Sequence, residues 1–269
     1  VELMEEVGQH IGEDTMAAGG SGLYGPAMNT HRSPYAGRDF EYYSEDGFLA
    51  GKIAAAEVTG IQSKGVYVYI KHFALNDSET KCRCISTFAN EQSIREIYLQ
   101  PFEHAVIEGG AYNVMNAFAR IGVTWCGASK NLMTNVLRNE WGLRGFGITD
   151  YSTTGKTYNV YLGVMAGTDT WDSSSADTWQ KRLLNHEEDN DVALTLAMRE
   201  ASHRILYTVA NSNAMNGIAP STQIKHVTPW WQMAIYAVIA LFAVLTAFFG
   251  YKMVKGIITW KKYKSNKMI

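Results

Sequence analysis

The chain has 269 residues, 46% of them hydrophobic and 19% charged, which suffices for one substantial core and excludes a disordered or collagen-like protein. A formal net charge of −2, with no basic stripe before residue 252, argues against nucleic-acid binding. Cys82, Cys84 and Cys126 are too few for a disulfide framework and lack the paired spacing of a zinc site, so we expect no metal and no cofactor.

Residues 1–209 alternate short apolar runs with helical patterns, which is typical of βα units around a mostly parallel sheet. The predicted strands are 22–29, 66–73, 112–118, 146–151 and 164–170. Apolar residues at three- and four-residue spacing predict helices at 91–108, 130–141 and 191–209, with a kink at Pro101 in the first of them. Five strands are too few for a closed eight-stranded barrel, so a barrel here would begin before Val1. The start at Val1, with no Met and no leader, also predicts a piece of a longer protein.

The C-terminal part predicts a membrane anchor. Residues 210–228, rich in Asn, Ser and Thr, are interpreted as a juxtamembrane stalk. Residues 230–251 carry no formal charge and follow Pro229, so a single transmembrane helix is predicted over 229–251, with Trp230, Trp231 and Tyr251 at its two interfaces with the lipid bilayer. Lysines without acidic residues fill 252–269, so the positive-inside rule predicts a cytoplasmic tail and an extracytoplasmic domain. The alternative is a buried core helix.

Four predicted strands lead into polar side chains, and parallel α/β proteins carry their active sites at the carboxyl ends of strands. A carboxylate there costs free energy if it is buried unpaired, so cations from neighbouring strand ends are expected to hold it ionised. Together these groups predict a sugar-binding pocket. They are, in chain order, Arg38 and Glu41, Lys71 and His72, Met115 and Asn116, and Asp150 and Tyr151.

Several strings in one order, GPAMNTHRSPYAGRDFEYYSED, KHFALND, NEQSIREIYLQPFE, LRNEWGLRGFGITDY and the AGTD of residues 166–169, closely resemble the barrel domain of family 3 glycoside hydrolases, the β-glucosidase group. The resemblance runs from Glu2 to about residue 209. It implies an α/β fold, a (β/α)8 TIM-type barrel that is truncated at its N-terminus here and followed by the single membrane helix. It also implies a β-linked oligosaccharide or glucoside as substrate.

The resemblance also implies roles for individual residues. Asp150 falls on the nucleophile that forms the covalent glycosyl-enzyme. The residues that would hold the sugar hydroxyls in the −1 subsite are Arg38, Lys71 and His72, and Glu41 falls on an acid that orients those cations. Without the resemblance, Asp150 could equally cap the following helix, and Lys71-His72 would be an ordinary polar strand end.

Two further residues are given places in the pocket by the resemblance. Tyr151 falls on an aromatic wall beside the nucleophile, and Met115 falls on a side chain that lines the pocket. From the residues alone, core packing is the alternative for both.

Retaining hydrolysis requires two carboxyl groups about 5 to 5.5 Å apart, and only Asp150 is assignable in this sequence. In the family, the acid/base comes from a second domain that usually follows the barrel, whereas this chain continues into the stalk. We expect a second domain before the barrel to supply the acid/base. The 269 residues by themselves should therefore have little or no activity. The alternative is a protein that never had an acid/base.

The sequence departs from the family pattern at a few positions. Phe118 stands where a Tyr is common and Ala119 where an Asn is usual, so a phenol that could hydrogen-bond the nucleophile is missing. Residues 81–84 (KCRC) replace an Asn/Arg-rich loop. The family's N-acetylglucosaminidase branch has a His-based acid/base loop after KHF. No such loop follows KHF in this sequence, which favours glucose-like over acetamido sugars as substrates.

Three functions therefore remain open at this point. The first is a retaining exo-β-glucosidase or β-xylosidase on the outer face of a bacterial membrane. The second is a membrane-tethered sugar-binding pseudoenzyme, and the third is a scaffold.

Overall fold

The computed structural model describes residues 1–151, 158–173, 191–215 and 227–266, without the side chains of Cys84 and of residues 261–266. The chain divides into two units, Val1–Ile218 and Ala219–Ile269. Most of the expected stalk lies outside the described residues. The helices and strands of the first unit are, in chain order, α1 Glu2–Ala17, β1 Gly22–Leu23, α2 Gly47–Ser63, β2 Tyr67–Phe73, β3 Ser86–Thr87, α3 Glu91–Ser93, α4 Gln100–Ile107, β4 Asn113–Asn116, β5 Arg120–Ile121, β6 Thr124–Trp125, β7 Gly147–Thr149, α5 Val160–Ala166 and α6 Val192–Ala210.

The described part of the first unit also contains π-helical and 3-10 helical segments. The π-helical ones are Ile94–Leu99, which joins α3 to α4, and Asn131–Glu140. The 3-10 helices are Asp39–Glu41, Cys82–Cys84 and Cys126–Ala128.

A four-stranded parallel sheet in the order β1-β2-β4-β7 organises this unit, which confirms the predicted parallel sheet. Tyr69 of β2 lies opposite Asn113 of β4, and Met115 of β4 lies opposite Ile148 of β7. All four strands run in one direction, so their carboxyl ends share one edge. A separate small sheet joins β3, β5 and β6.

The two faces of β2 pack into different clusters. Val68 and Ile70 lie in the main core, whose other large buried side chains include Phe73, Phe102 and Leu137. Tyr67 and Tyr69 face the opposite way and pack with Met115, Phe146 and Ile148. Alternate side chains of a strand point to opposite faces, so one face of β2 packs into the main core and the other into the cluster around Met115.

Helices α1 and α2 cross in close contact. A Cβ on Gly8 of α1 would collide with the carbonyl oxygen of Glu57, and a Cβ on Gly60 of α2 with that of Glu5. Glycine is therefore required at both positions for the two helix backbones to approach. Helix α2 begins after Asp46, whose carboxylate accepts hydrogen bonds from the backbone N–H groups of Phe48 (2.8 Å) and Leu49 (3.4 Å) as an N-cap.

The predicted strands at 66–73, 112–118 and 146–151 each contain an observed strand. The strand predicted at 22–29 is confined to Gly22–Leu23, with one further bridge between Ala27 and Lys71. The strand predicted at 164–170 is reduced to one parallel bridge between Thr170 and Ile148 of β7. Its first three residues, 164–166, are helical instead, because they belong to α5, which the Asn159 side chain caps at its N-terminus and Gly167, at φ +105°, ends.

The three predicted helices are present in the structure. Those at 91–108, 130–141 and 191–209 are all helical, and the irregularity expected at Pro101 is the change from π-helix to α-helix just before it. Helices α1 and α2 were not predicted.

The second unit contains one long helix, α7 Trp230–Asn266, of 37 residues. Its stretch Trp230–Trp260 contains an 18-residue window with a mean hydropathy of 2.3, and no part of that window is buried. Length and composition therefore permit it to cross a bilayer. The helix continues beyond Tyr251 through Lys252 and Lys255, so the basic segment expected as a separate tail is helical as far as Asn266.

Candidate active site

The carboxyl edge of the parallel sheet brings five of the predicted residues together. Lys71 and His72 lie near the end of β2, and Asp150 follows β7. Arg38 immediately precedes the 3-10 helix that contains Glu41. Residues separated by more than a hundred positions in the sequence thus meet at one edge, as expected for parallel strands.

Asp150 is the central carboxylate of this edge. Its Oδ2 lies 3.7 Å from Nε2 of His72, and its side chain is 16% exposed. The backbone N–H of Tyr151 donates to Oδ1 (2.6 Å), and the backbone N–H of Asp150 itself donates to the carbonyl of Asn116 (3.2 Å) at the end of β4. The carboxylate is therefore mostly shielded from solvent, and both its main chain and its side chain are held.

Two opposing influences act on the pKa of Asp150. Burial raises it above the ordinary value of an aspartate, whereas the Tyr151 N–H and the positive charges of Arg38 and Lys71 lower it. Burial is the larger influence, so the net shift is upward. The two cations therefore limit how far protonation of Asp150 extends toward neutral pH.

His72 is almost completely buried and is clamped at its backbone. Its N–H donates to Oδ1 of Asn29 (2.9 Å), and Nδ2 of Asn29 donates to its carbonyl (3.1 Å), so one amide side chain replaces a strand partner. Burial, together with the charges of Arg38 and Lys71, lowers the pKa of His72 well below its ordinary value. The ring is therefore neutral at physiological pH and suited to hydrogen bonding rather than to holding a charge.

Glu41 links the two cations of the site. Nε of Arg38 donates to Glu41 Oε1, and Nζ of Lys71 lies 3.5 Å from Glu41 Oε2. Because the three side chains are 17% to 24% exposed, this network is partly shielded from solvent. A carboxylate between two cations fixes their direction, which is the orientation role that the resemblance implies for Glu41.

Glu79 is a second acidic residue of the cluster and was not singled out from the sequence. Its Oε1 lies 3.7 Å from Nη1 of Arg38 and accepts a hydrogen bond from Nδ2 of Asn76 (2.8 Å). Its backbone N–H donates to the carbonyl of Ala36 (2.8 Å), which fastens the segment after β2 to the segment that carries Arg38. The available signal was its place in the polar run that follows KHF.

Met115 and Tyr151 occupy contrasting positions. Met115 is only 3% exposed and packs with Tyr69, Phe146 and Ile148, so its environment fits core packing better than direct contact with a sugar. Tyr151 follows Asp150 and is 45% exposed, so its ring is accessible to a ligand.

An aromatic cluster stands beside Asp150. Phe118, which replaces the expected phenol, stacks on Tyr158, and Tyr158 also packs against Trp125. The hydroxyl of Tyr158 donates to the backbone carbonyl of Asp150 (3.0 Å). No sequence motif indicated Tyr158, because only the folded chain brings it back to the strand end.

A cavity of about 260 Å³ adjoins the segment after β2. Cys82, from the KCRC segment that departs from the family pattern, contributes to its wall, as does Ala119. The other residues that line it include Arg32, Leu75, Asp77 and Thr87.

Known proteins resemble this chain over most of the first unit. The sequence profile of the glycosyl hydrolase family 3 N terminal domain matches residues 1–183. A thermostable β-glucosidase B from Acetivibrio thermocellus is 36% identical over 208 residues, which are 77% of this chain and 27% of that protein. A β-glucosidase from Ruminococcus albus is 44% identical over 149 residues, which are 55% of this chain and 16% of that protein.

Solved structures agree with the sequence comparison. β-Glucosidase 3B from Thermotoga neapolitana in complex with glucose matches with a TM-score of 0.72 at 34% identity, covering 79% of this chain and 30% of that one. A Bifidobacterium adolescentis β-glucosidase matches with a TM-score of 0.73 at 29% identity, covering 83% and 32%. These likenesses confirm the predicted TIM-type α/β fold, and the chain spans less than a third of the length of these relatives.

Proposed function

The chain belongs to glycosyl hydrolase family 3, and on that premise we propose that it supplies the nucleophile of a retaining exo-β-glycosidase of the β-glucosidase type. The observation that carries the proposal is the placement of Asp150. Its carboxylate stands at the end of β7, 3.7 Å from a neutral His72 and under the influence of two cations, Arg38 and Lys71. This is an arrangement for a buried carboxylate that must ionise and then react.

In the proposed reaction, an oxygen of Asp150 attacks the anomeric carbon as the glycosidic C–O bond breaks. The leaving oxygen takes its proton from an acid/base group that is not assigned among the described residues. Water, deprotonated by the same group, then attacks the anomeric carbon, releases Asp150 as a carboxylate and retains the β configuration. Arg38, Lys71 and His72 would donate hydrogen bonds to the sugar hydroxyls throughout.

The substrate class rests on the relatives. The proteins that match this chain are named β-glucosidases, and one of the matching structures contains glucose. A terminal glucose-like residue in a β-linked oligosaccharide or glucoside is therefore the proposed substrate.

The test is covalent trapping in the full-length protein with 2,4-dinitrophenyl 2-deoxy-2-fluoro-β-glucoside. Dinitrophenolate leaves without a proton, so the reagent reports on the nucleophile without requiring the acid/base. We expect the mass of one 2-fluoroglucosyl group on the peptide that contains Asp150, and none in Asp150→Asn. A protein that stays unlabelled, or that is labelled at another carboxylate, would refute the assignment.

A sugar-binding protein without turnover is the second candidate. Phe118 favours it, because a phenyl ring cannot supply the hydrogen bond that the family's usual phenol offers to the nucleophile. In that case the full-length protein would bind glucose, with Arg38→Met or Lys71→Met weakening the binding, but would not hydrolyse β-glucosides.

We also propose that the second unit anchors the protein in a membrane as a single-pass helix. Trp230–Trp260 is long enough and apolar enough to span a bilayer, and aromatic residues stand near its start. Lys252 and Lys255 follow the most apolar part, so the positive-inside rule predicts a cytoplasmic C-terminus and an extracytoplasmic first unit.

The membrane proposal is tested by carbonate extraction and protease protection of intact cells or spheroplasts. We expect the protein to resist carbonate extraction and the first unit to be digested from the outside. A version that ends at residue 228 should be released into the soluble fraction. A first unit that is protected in intact spheroplasts but digested after lysis would reverse the proposed topology, and carbonate-soluble full-length protein would refute the anchor.

A further inference from the structure

Tyr158 reaches back to the main chain of the proposed nucleophile. Eight positions after Asp150 in the sequence, it donates its hydroxyl to the Asp150 carbonyl oxygen over 3.0 Å. The side chain is nearly inaccessible to solvent, at 3% exposure. A buried phenol of this kind needs a partner for its hydroxyl, and the partner here is the backbone of the reactive residue.

The ring of Tyr158 is held by other aromatic side chains. Phe118 stacks on it with an interplanar angle of 6° and a centroid distance of 5.8 Å, and Trp125 packs at 4.4 Å. Trp125 is itself fixed, because its Nε1–H donates to the carbonyl of Ala117 (2.8 Å). The guanidinium of Arg83 covers the ring of Phe118 at 5.0 Å. The position of the Tyr158 hydroxyl is therefore set by packing on several sides.

The Asp150 backbone is consequently fixed at both of its polar groups. Its N–H donates to the carbonyl of Asn116 (3.2 Å), and its carbonyl accepts from Tyr158. Asn116 belongs to the neighbouring strand β4, whereas Tyr158 directly precedes Asn159, the N-cap residue of α5. The two bonds together restrict rotation of the main chain that carries the carboxylate.

The Tyr158 hydroxyl remains protonated under all ordinary conditions. Burial is the main influence that raises its pKa, and the negative charge of Asp150 adds to it. It therefore acts as a hydrogen-bond donor to the main chain of Asp150.

We propose that Tyr158 is a positioning residue for the nucleophile, acting through the main-chain carbonyl of Asp150. This inference rests on the proposed function, because it requires Asp150 to be the nucleophile. The hydrogen bond and the aromatic clamp keep the carboxylate aimed at the anomeric carbon. Misplacing a reacting group slows the chemical step far more than it weakens binding.

The experiment measures the rate of Asp150 labelling in the full-length protein with the same fluorosugar, over a range of reagent concentrations. Tyr158→Phe keeps the ring and deletes only the hydroxyl. We expect the labelling rate at saturating reagent to fall about three- to tenfold, the effect of losing one hydrogen bond, while the half-saturating concentration stays within about twofold.

Tyr161→Phe is the matched control, since it deletes a phenol that instead donates to Oδ2 of Asp191 (2.8 Å). Both variants lose one hydroxyl from the same stretch of chain, and comparison of their melting temperatures separates a loss of stability from a loss of positioning. Equal labelling rates in Tyr158→Phe and the wild type would overturn the inference, as would an equal loss in Tyr161→Phe. A wild-type protein that is not labelled at Asp150 would instead reject the proposed function, and the role of Tyr158 with it.

Discussion

Nε2 of His72 and Oδ2 of Asp150 lie 3.7 Å apart, although the strands that carry them are separated in the sheet by β4. Burial disfavours the charged form of each: it raises the pKa of Asp150 and lowers that of His72. The positive charges of Arg38 and Lys71 lower the pKa of both groups. They therefore favour an ionised Asp150 beside a neutral His72.

The role of Lys71 in this balance predicts a pH effect. Lys71→Met removes a charge that lowers the pKa of Asp150, so the pKa should rise and the acid limb of the labelling rate should move to higher pH. The plateau rate should also fall roughly tenfold or more through the lost charged hydrogen bond to the sugar. The measurement is the fluorosugar labelling rate across the acidic pH range.

Lys52→Met is the control for the Lys71 variant. Lys52 pairs with Glu108 (2.6 Å) on the surface, so its loss should leave the pH midpoint of labelling unchanged. An unchanged midpoint in Lys71→Met would mean that Lys71 does not influence the ionisation of Asp150.

Glu57 predicts a second pH effect, on stability. It is buried in α2 and accepts a hydrogen bond from the Tyr43 hydroxyl (2.6 Å), and burial raises its pKa. The raised folded-state pKa means that the protonated carboxyl stabilises the fold below the unfolded-state pKa, and that this contribution is lost as pH rises through the folded-state pKa. Glu57→Gln cannot ionise, so it should be more stable than the wild type at pH 7 and should lose that advantage in acid.

Urea unfolding at pH 7 and pH 4 measures this difference in the free energy of unfolding. Glu6→Gln, at an exposed position of α1, serves as the control and should differ little from the wild type at either pH. The interpretation fails if Glu57→Gln is less stable than the wild type at pH 7.

The strand ends of the site could be predicted from the sequence because apolar runs of β propensity mark parallel strands, and parallel strands end at one edge. Lys71, His72 and Asp150 follow such runs directly, and the structure places them together. Residues 164–166 are helical rather than part of the predicted strand, because a short apolar run fits a strand or a buried helix equally well. The extent of α5 is set instead by two local features, the N-cap at Asn159 and the left-handed Gly167 that ends the helix.

Other features gave a weak signal or none to single-sequence reasoning. Helices α1 and α2 pack through Gly8 and Gly60, and close backbone contact of this kind leaves no strong apolar stripe to detect. Glu79 and Tyr158 reach the site through the tertiary fold rather than by following a strand. Their contacts with Arg38 and Asp150 depend on how separate segments pack.

Asp169 predicts a large effect on stability. Its buried carboxylate accepts hydrogen bonds from Arg138 (2.9 Å), Arg204 (2.8 Å) and the N–H of Gly147 (2.8 Å), the first residue of β7. Asp169→Ala leaves two cations without their anion, which should cost about 3 to 5 kcal/mol in the free energy of unfolding. Urea denaturation measures it.

Arg204→Met is the comparison for the Asp169 variant. It should cost less, because Arg138 still neutralises the carboxylate and because Arg204 is the more exposed of the two arginines. A loss in Asp169→Ala no greater than that in Arg204→Met would show that the buried carboxylate is not the centre of the network.

Asp150 itself predicts opposite effects on activity and stability. Burial penalises its charge, so Asp150→Asn removes a cost to folding while keeping an oxygen that can accept the hydrogen bond from Tyr151. The variant should gain about 1 kcal/mol in the free energy of unfolding, yet lose hydrolysis by at least about a thousandfold because the amide is a poor nucleophile. Differential scanning fluorimetry and aryl glucoside hydrolysis by the full-length protein measure the two effects. Asp14→Asn, on the exposed surface of α1, should change neither. A buried carboxylate retained at a cost to folding is expected where the charge is needed for chemistry, so Asp150→Asn protein that is both destabilised and fully active would instead make Asp150 a structural residue.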